Sequence, residues 1–141
     1  MVEITRKKSG CSCIDLRRAT NAVTEYYDKL LEPSGLTVNQ YSLLDNLNKI
    51  GICSVSELAE CVGLERTTLV RSLKPLFEAG YIEDISLSGT RNREMRVAPA
   101  GIKSLEVAIP LWKEAQNGVK NKIGEENVNV LIGLLSLLES L

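Results

Sequence analysis

Residues 54–97, SVSELAECVGLERTTLVRSLKPLFEAGYIEDISLSGTRNREMRV, decide the fold. Ser54 is placed to cap a helix, with Glu57 at its third position and Cys53 and Leu58 at the sites of a hydrophobic staple. The spacing predicts a short helix from Val55 to about Cys61 and a tight turn at Gly63. Leu64 and Leu69 form a further staple around Glu65, a mediocre cap. A longer helix then runs from Arg66 to about Ala79 and stops at Gly80. Tyr81–Ser86 and Glu94–Val97 alternate roughly and are separated by the polar tip 87–93, which reads as a β-hairpin with a long loop.

Helix, Gly-containing turn, helix and hairpin in this order form the pattern of a helix-turn-helix followed by a wing. On the second helix Leu69, Leu73 and Leu76 share one face and can pack inward, leaving Arg66, Thr67, Thr68, Arg71, Ser72 and Lys74 outward. No acidic residue occurs between Arg66 and Phe77, and the hairpin tip adds Arg91 and Arg93. Arginine can donate two hydrogen bonds to a guanine edge, threonine offers a hydroxyl and a methyl, and lysine pairs with phosphate. Arg66, Thr68 and Arg71 are therefore the base-reading candidates, with Thr67 on the same basic helix face. Ser54, Ser56 and Lys74 suit phosphate, and Arg91 and Arg93 suit the neighbouring minor groove or its backbone. A solvated helix face carries the same residue types. The turn, short helix and basic hairpin in sequence are what favour double-stranded DNA.

Outward from this core, helical spacing recurs from Ser12 through Leu16, Ala19, Val23, Tyr26, Tyr27, Leu30 and Leu31, and stops at Glu32-Pro33-Ser34-Gly35. Thr37 and Gln40 form a capping box, with Leu36 and Tyr41 as its staple, opening a helix that ends at Gly51. Pro99 starts a fifth helix behind Ala98, which cannot cap, and Pro110 is expected to kink it. After Gly124 a sixth helix carries Val128, Leu131, Leu134, Leu135, Leu138 and Leu141, plus a second apolar set at Val130, Ile132 and Leu137. That is more than one stripe of a small domain can bury, so a partner chain is the simplest cover. The expected class is mainly α with a small β-hairpin. Residues 1–11 form a flexible basic arm, 12–36 and 98–141 a helical dimerisation region, and 37–97 the winged helix-turn-helix, all one intertwined domain.

The 141 residues carry seventeen Lys/Arg against eighteen Asp/Glu, no histidine and 44% apolar residues. This suits one soluble domain with a substantial core. The missing histidines exclude His-ligated zinc, Ser-His-Asp and Cys-His catalysis and an imidazole pH switch. A net charge of −1 gives no whole-chain hint of a polyanionic partner, so that reading rests on local charge. No signal-peptide pattern precedes the four cysteines, so reduced thiols and a cytoplasmic location are expected. The longest apolar-rich run, 128–138, is interrupted and short of the roughly 20 residues a membrane span needs. Cys53 and Cys61 are expected to be buried structural residues, Cys61 facing the turn. The spacing C-x-C, then C-x7-C, lacks the paired knuckles of a zinc site, so no metal or cofactor is expected. Cys11 and Cys13 sit at a helix start, where backbone amides favour a thiolate, with Arg17 one turn beyond Cys13.

Over residues 12–141 the chain resembles the MarR family of winged-helix transcriptional regulators. GLTVNQYSLL, SVSELAECVGLERTTLVRSLKPLFEAGYI and GTRNREMRVAPAG carry the likeness. The resemblance implies an obligate homodimer whose helices one, five and six intertwine, each recognition helix entering one half-site of a palindrome. It implies a repressor released by a small-molecule or oxidant signal. Two features depart from the family pattern: the wing's usual Asp, two residues before its key Arg, is Gly89 ahead of Arg91, and the Leu-Thr pair before helix five reads Val97-Ala98. Cys13 aligns with the reactive cysteine of the organic-hydroperoxide-sensing branch, eleven residues before Thr24, while that branch's supporting tyrosines are Arg17 and Val38 here. The effector pocket implied between dimerisation helices and winged region has Tyr26, Tyr27, Tyr41 and Trp112 as aromatic candidates. Arg17 and Arg18 are its candidates for an anionic group, and a phenolic compound or a hydroperoxide is the implied effector. Competing readings are a winged-helix protein-interaction module that has lost DNA binding, and a thiol enzyme using Cys13.

Overall fold

The computed structural model describes residues 9–87 and 93–141. Its elements are α1 (Ser12–Leu31), a 3-10 turn (Glu32–Ser34), α2 (Val38–Ile50), β1 (Cys53–Ser54), α3 (Val55–Val62), α4 (Arg66–Glu78), β2 (Ile82–Asp84), β3 (Glu94–Val97), α5 (Pro99–Ile123) and α6 (Glu125–Glu139). The hairpin gains a third strand that the sequence reading did not expect. The antiparallel order is β1-β3-β2, with Cys53 opposite Met95 and Ser54 opposite Glu94. Across the hairpin Ile82 pairs Val97, Glu83 pairs Arg96 and Asp84 pairs Met95.

Caps fix the helix starts. At α2 the Thr37 hydroxyl accepts the Gln40 amide at 3.2 Å and the Gln40 side chain accepts the Thr37 amide at 3.0 Å, a complete capping box. At α3 the Ser54 hydroxyl accepts the Glu57 amide at 3.1 Å but donates to the Glu57 carboxylate, so the box is only half formed. Glu65 makes no side-chain cap on α4. Both internal prolines are accommodated: α4 runs through Pro75 and α5 through Pro110 without interruption.

The core lies between α2, α3, α4 and the sheet, where Leu44, Leu47, Leu58, Leu69, Leu73, Leu76 and Met95 are almost wholly buried. Each such leucine contributes about 1.5–3 kcal/mol by leaving water. Cys53 joins this core, whereas Cys61 is exposed, against expectation. The inward stripe of α3 has Leu58 and Ala59 buried and Val55 and Val62 half-buried, and Cys61 falls outside it.

The bend between α1 and α2 is fixed by hydrogen bonds. Ser104 of α5 donates to the Ser34 carbonyl at 2.6 Å, the Ser34 hydroxyl donates to the Leu31 carbonyl, and Asp28 accepts the Val38 amide at 2.8 Å. Gly35, at φ +76°, supplies the left-handed turn that follows. Gly101, in the first turn of α5, is buried against the Tyr81 carbonyl and lies where a Cβ would come within 2.7 Å of Val97 Cγ1. Alanine in a helix interior ordinarily gains about 1 kcal/mol over glycine. At Gly101→Ala the overlap wins, and a loss on the order of 1–3 kcal/mol is expected, read as a lowered Tm in thermal unfolding.

Candidate nucleic-acid interface

The inward row of α4, Leu69, Leu73 and Leu76, sets the rotation of that helix about its axis. With that row buried, Arg66, Thr67, Thr68, Val70, Arg71 and Lys74 are exposed, and Ser72 donates back to the Thr68 carbonyl at 3.0 Å. Arg66 and Arg71 have no ion-pair partner among the described residues, while Lys74 lies 3.9 Å from Glu78. Ser56 is exposed on the first turn of α3, but Ser54 is buried and its hydroxyl is occupied by the cap. Of the two, Ser56 is the hydroxyl free to meet a phosphate.

A cleft of about 560 Å³ separates α4 from the hairpin, lined among others by Arg66, Val70, Arg71, Lys74, Phe77, Asp84 and Arg93. Arg91 lies outside the described residues, so the basic side chain described on the wing beside this cleft is Arg93. It donates to Asp84 Oδ2 at 3.1 Å. Hydrogen bonds from Ser86, then the Arg93 guanidinium, hold the Asp84 carboxyl below the usual carboxylate range. Val70, half exposed beside Arg71, was not among the sequence candidates; an apolar side chain there can meet a thymine methyl.

The aromatic candidates divide into packing pairs. Tyr41 stacks on Trp112 with ring centroids 5.7 Å apart, and the Tyr27 hydroxyl donates to Gln116. Burial raises both tyrosine pKa values, so these hydroxyls stay protonated at neutral pH. Tyr26 instead lines a separate apolar cavity of about 420 Å³ between α1 and α5, with Val23, Gly118, Val119 and Lys122. Arg17, like Arg18, is exposed on the first half of α1. Cys11 and Cys13 are exposed free thiols at the start of α1, Cys11 being its N-cap residue without a side-chain capping bond. No residue of α6 is buried, and Ile132 and Leu137 are 58% and 69% exposed. No helix among the described residues is long and apolar enough to cross a membrane.

A helix-turn-helix with an outward basic helix and a three-stranded wing defines a winged-helix DNA-binding protein. The sequence profile of the MarR family matches residues 36–85. The M. tuberculosis transcriptional regulator MosR, in a crystal structure with DNA, is 32% identical, with 92% of this chain and 96% of that one covered and a TM-score of 0.79. The same fold recurs in the transcriptional repressor CouR bound to a 23-mer DNA duplex (23% identity, coverage 96% and 99%, TM-score 0.81). It recurs also in NadR in complex with 4-hydroxyphenylacetate (22% identity, coverage 96% and 97%, TM-score 0.65). The chain belongs to the MarR family of transcriptional regulators, which are dimeric DNA-binding proteins.

The thiols offer a direct check on the packing of the turn. Burial, then the charges of Glu57 and Cys61, raises the Cys53 pKa. Iodoacetamide should therefore label Cys61 readily and Cys53 only on unfolding, as mass spectrometry of peptide digests would reveal.

Proposed function

We propose that residues 37–97 read an inverted-repeat operator as half of a twofold dimer, and that 12–36 and 98–141 hold the two halves together. The outward row Arg66, Thr67, Thr68, Arg71 and Lys74 on α4, of which Arg66, Arg71 and Lys74 line the same cleft as Arg93, is the observation that carries this reading. Arg66, Thr68 and Arg71 read bases, with Ser56 and Lys74 on phosphates and Arg91 and Arg93 at the adjacent minor groove or backbone. The bare apolar surface of α6 supports a second copy as its cover. Twofold symmetry then sets the recognition helices about one DNA turn, roughly 34 Å, apart. The protein acts in the cytoplasm as a repressor without catalytic turnover. A gel shift with the regulator's own promoter region tests this. Arg71→Ala should weaken operator binding on the order of tenfold to a hundredfold, and binding of the parent protein should fall steeply with salt. Retardation that is absent at low salt, or unchanged by Arg71→Ala, would favour a protein-interaction module.

The exposed thiols of Cys11 and Cys13 favour oxidant release over a phenolic effector, because Tyr27, Tyr41 and Trp112 are engaged in packing. A hydroperoxide would give its terminal oxygen to the Cys13 thiolate and leave as the alcohol. The Cys11 thiol would then condense with the sulfenic acid, forming a disulfide and water. Cumene hydroperoxide should release the parent protein from its operator. Cys13→Ser should remain bound at the same dose; release of that variant would remove Cys13 from the sensing role.

A further inference from the structure

The wing is clamped by two cross-strand ion pairs that lie on opposite faces of the hairpin. Arg96 Nε donates to Glu83 Oε1 at 2.6 Å, and these two residues line a groove with Pro99, Ile102, Lys103 and Glu106 of α5. Arg93 and Asp84 instead share the cleft bordered by Arg66, Arg71 and Lys74 of α4. The register explains the split: Glu83 is directly opposite Arg96, whereas Asp84 is opposite Met95, which places Arg93 diagonally across on the core-side face.

Asp84 is itself held. Its Oδ1 accepts the Ser86 amide at 2.8 Å, and the Ser86 hydroxyl accepts the Glu94 amide at 2.6 Å and donates to the Glu94 carbonyl at 3.3 Å. One carboxylate oxygen is thus fixed to the backbone at the loop end of the hairpin, and the other receives Arg93. Among the described residues the contact to Arg93 uses one guanidinium nitrogen, Nη1, and Arg93 has further N–H groups able to donate elsewhere.

We infer that Asp84 is the positioning residue of the wing: it fixes Arg93 beside the recognition helix and takes the place of the carboxylate that the loop lacks at Gly89. This rests on the DNA-binding reading above. A guanidinium already oriented loses less side-chain freedom when it meets the duplex, so its hydrogen bonds are made at lower entropic cost. The gain applies where Arg93 has a defined partner, as on the operator, and not on an unrelated duplex. Asp84 also carries a negative charge toward a polyanion, which by Coulomb's law alone opposes all DNA equally. The two effects have opposite signs in a mutant.

The experiment measures affinity for operator and for an unrelated duplex of equal length, by fluorescence anisotropy at fixed salt, for the parent protein, Asp84→Asn, Arg93→Ala, the double variant and Glu83→Gln. Asp84→Asn should bind operator roughly fivefold more weakly while binding the unrelated duplex no more weakly, lowering the ratio of the two. In the Arg93→Ala background the same change should leave that ratio unaltered, because Asp84 then has nothing to position. Glu83→Gln removes an equal charge from the face turned to α5 and should preserve the ratio. Thermal unfolding of each variant separates lost folding from lost positioning, and an Asp84→Glu variant, if it recovers the ratio, confirms the carboxylate. Equal strengthening on both duplexes in Asp84→Asn would overturn the inference and make Asp84 a repulsive neighbour. Failure of the parent protein to prefer operator would instead overturn the DNA-binding reading.

Discussion

One-sided burial of α4 is the constraint from which the interface follows. Leu69, Leu73 and Leu76 enter a core built by Leu44, Leu47 and Leu58, and a helix so anchored cannot rotate about its axis without exposing all three. Successive residues project about 100° apart on a helix, so a slip of one residue would turn Val70 inward and carry Arg71 off the outer face. Side-chain chemistry on the outer face has meaning only because the inner face is fixed. The acids distributed over the rest of the chain, which bring its net charge to −1, are compatible with this because none lies between Arg66 and Phe77.

The wing is tied to the same core by β1. Cys53 pairs with Met95 and Ser54 with Glu94, and Ser54 is also the cap of α3. Two residues thus join the sheet to the first helix of the helix-turn-helix, and recognition helix and wing base belong to one packed unit. On the other side, Ser34, Ser104 and Asp28 bind the end of α1, the start of α2 and α5 into one junction.

Much of this was legible in the sequence because it rests on local chemistry. Thr37 with Gln40, Ser54 ahead of Glu57, Gly63 and the leucine spacing of α4 each act over a few residues. β1 was not legible: two residues make a strand only because β3 arrives beside them. Nor was the exposure of Cys61, since α3 is short and its phase is settled by which of its residues reach the α2 and α4 leucines. The family's sequence spacing points to an orienting carboxylate two residues ahead of Arg91, where Gly89 stands, whereas Asp84 reaches Arg93 across strands through the register. Tyr41 and Trp112, aromatic candidates for a pocket by sequence, stack on one another, a contact that helical periodicity does not encode.

The separation of α6 from the reading face has a genetic consequence. None of its residues is buried within the chain, so the surface offered to a second copy is independent of Arg66 and Arg71. If α6 is covered by a second copy, as proposed, a subunit with a damaged reading face would still pair, and in a cell carrying both versions it would draw intact subunits into dimers that grip only one half of a palindrome. On the proposed dimer, alleles that replace Arg66 or Arg71 and leave the α4 leucines in place would be dominant over the intact gene, whereas alleles that abolish pairing through α6 would be recessive.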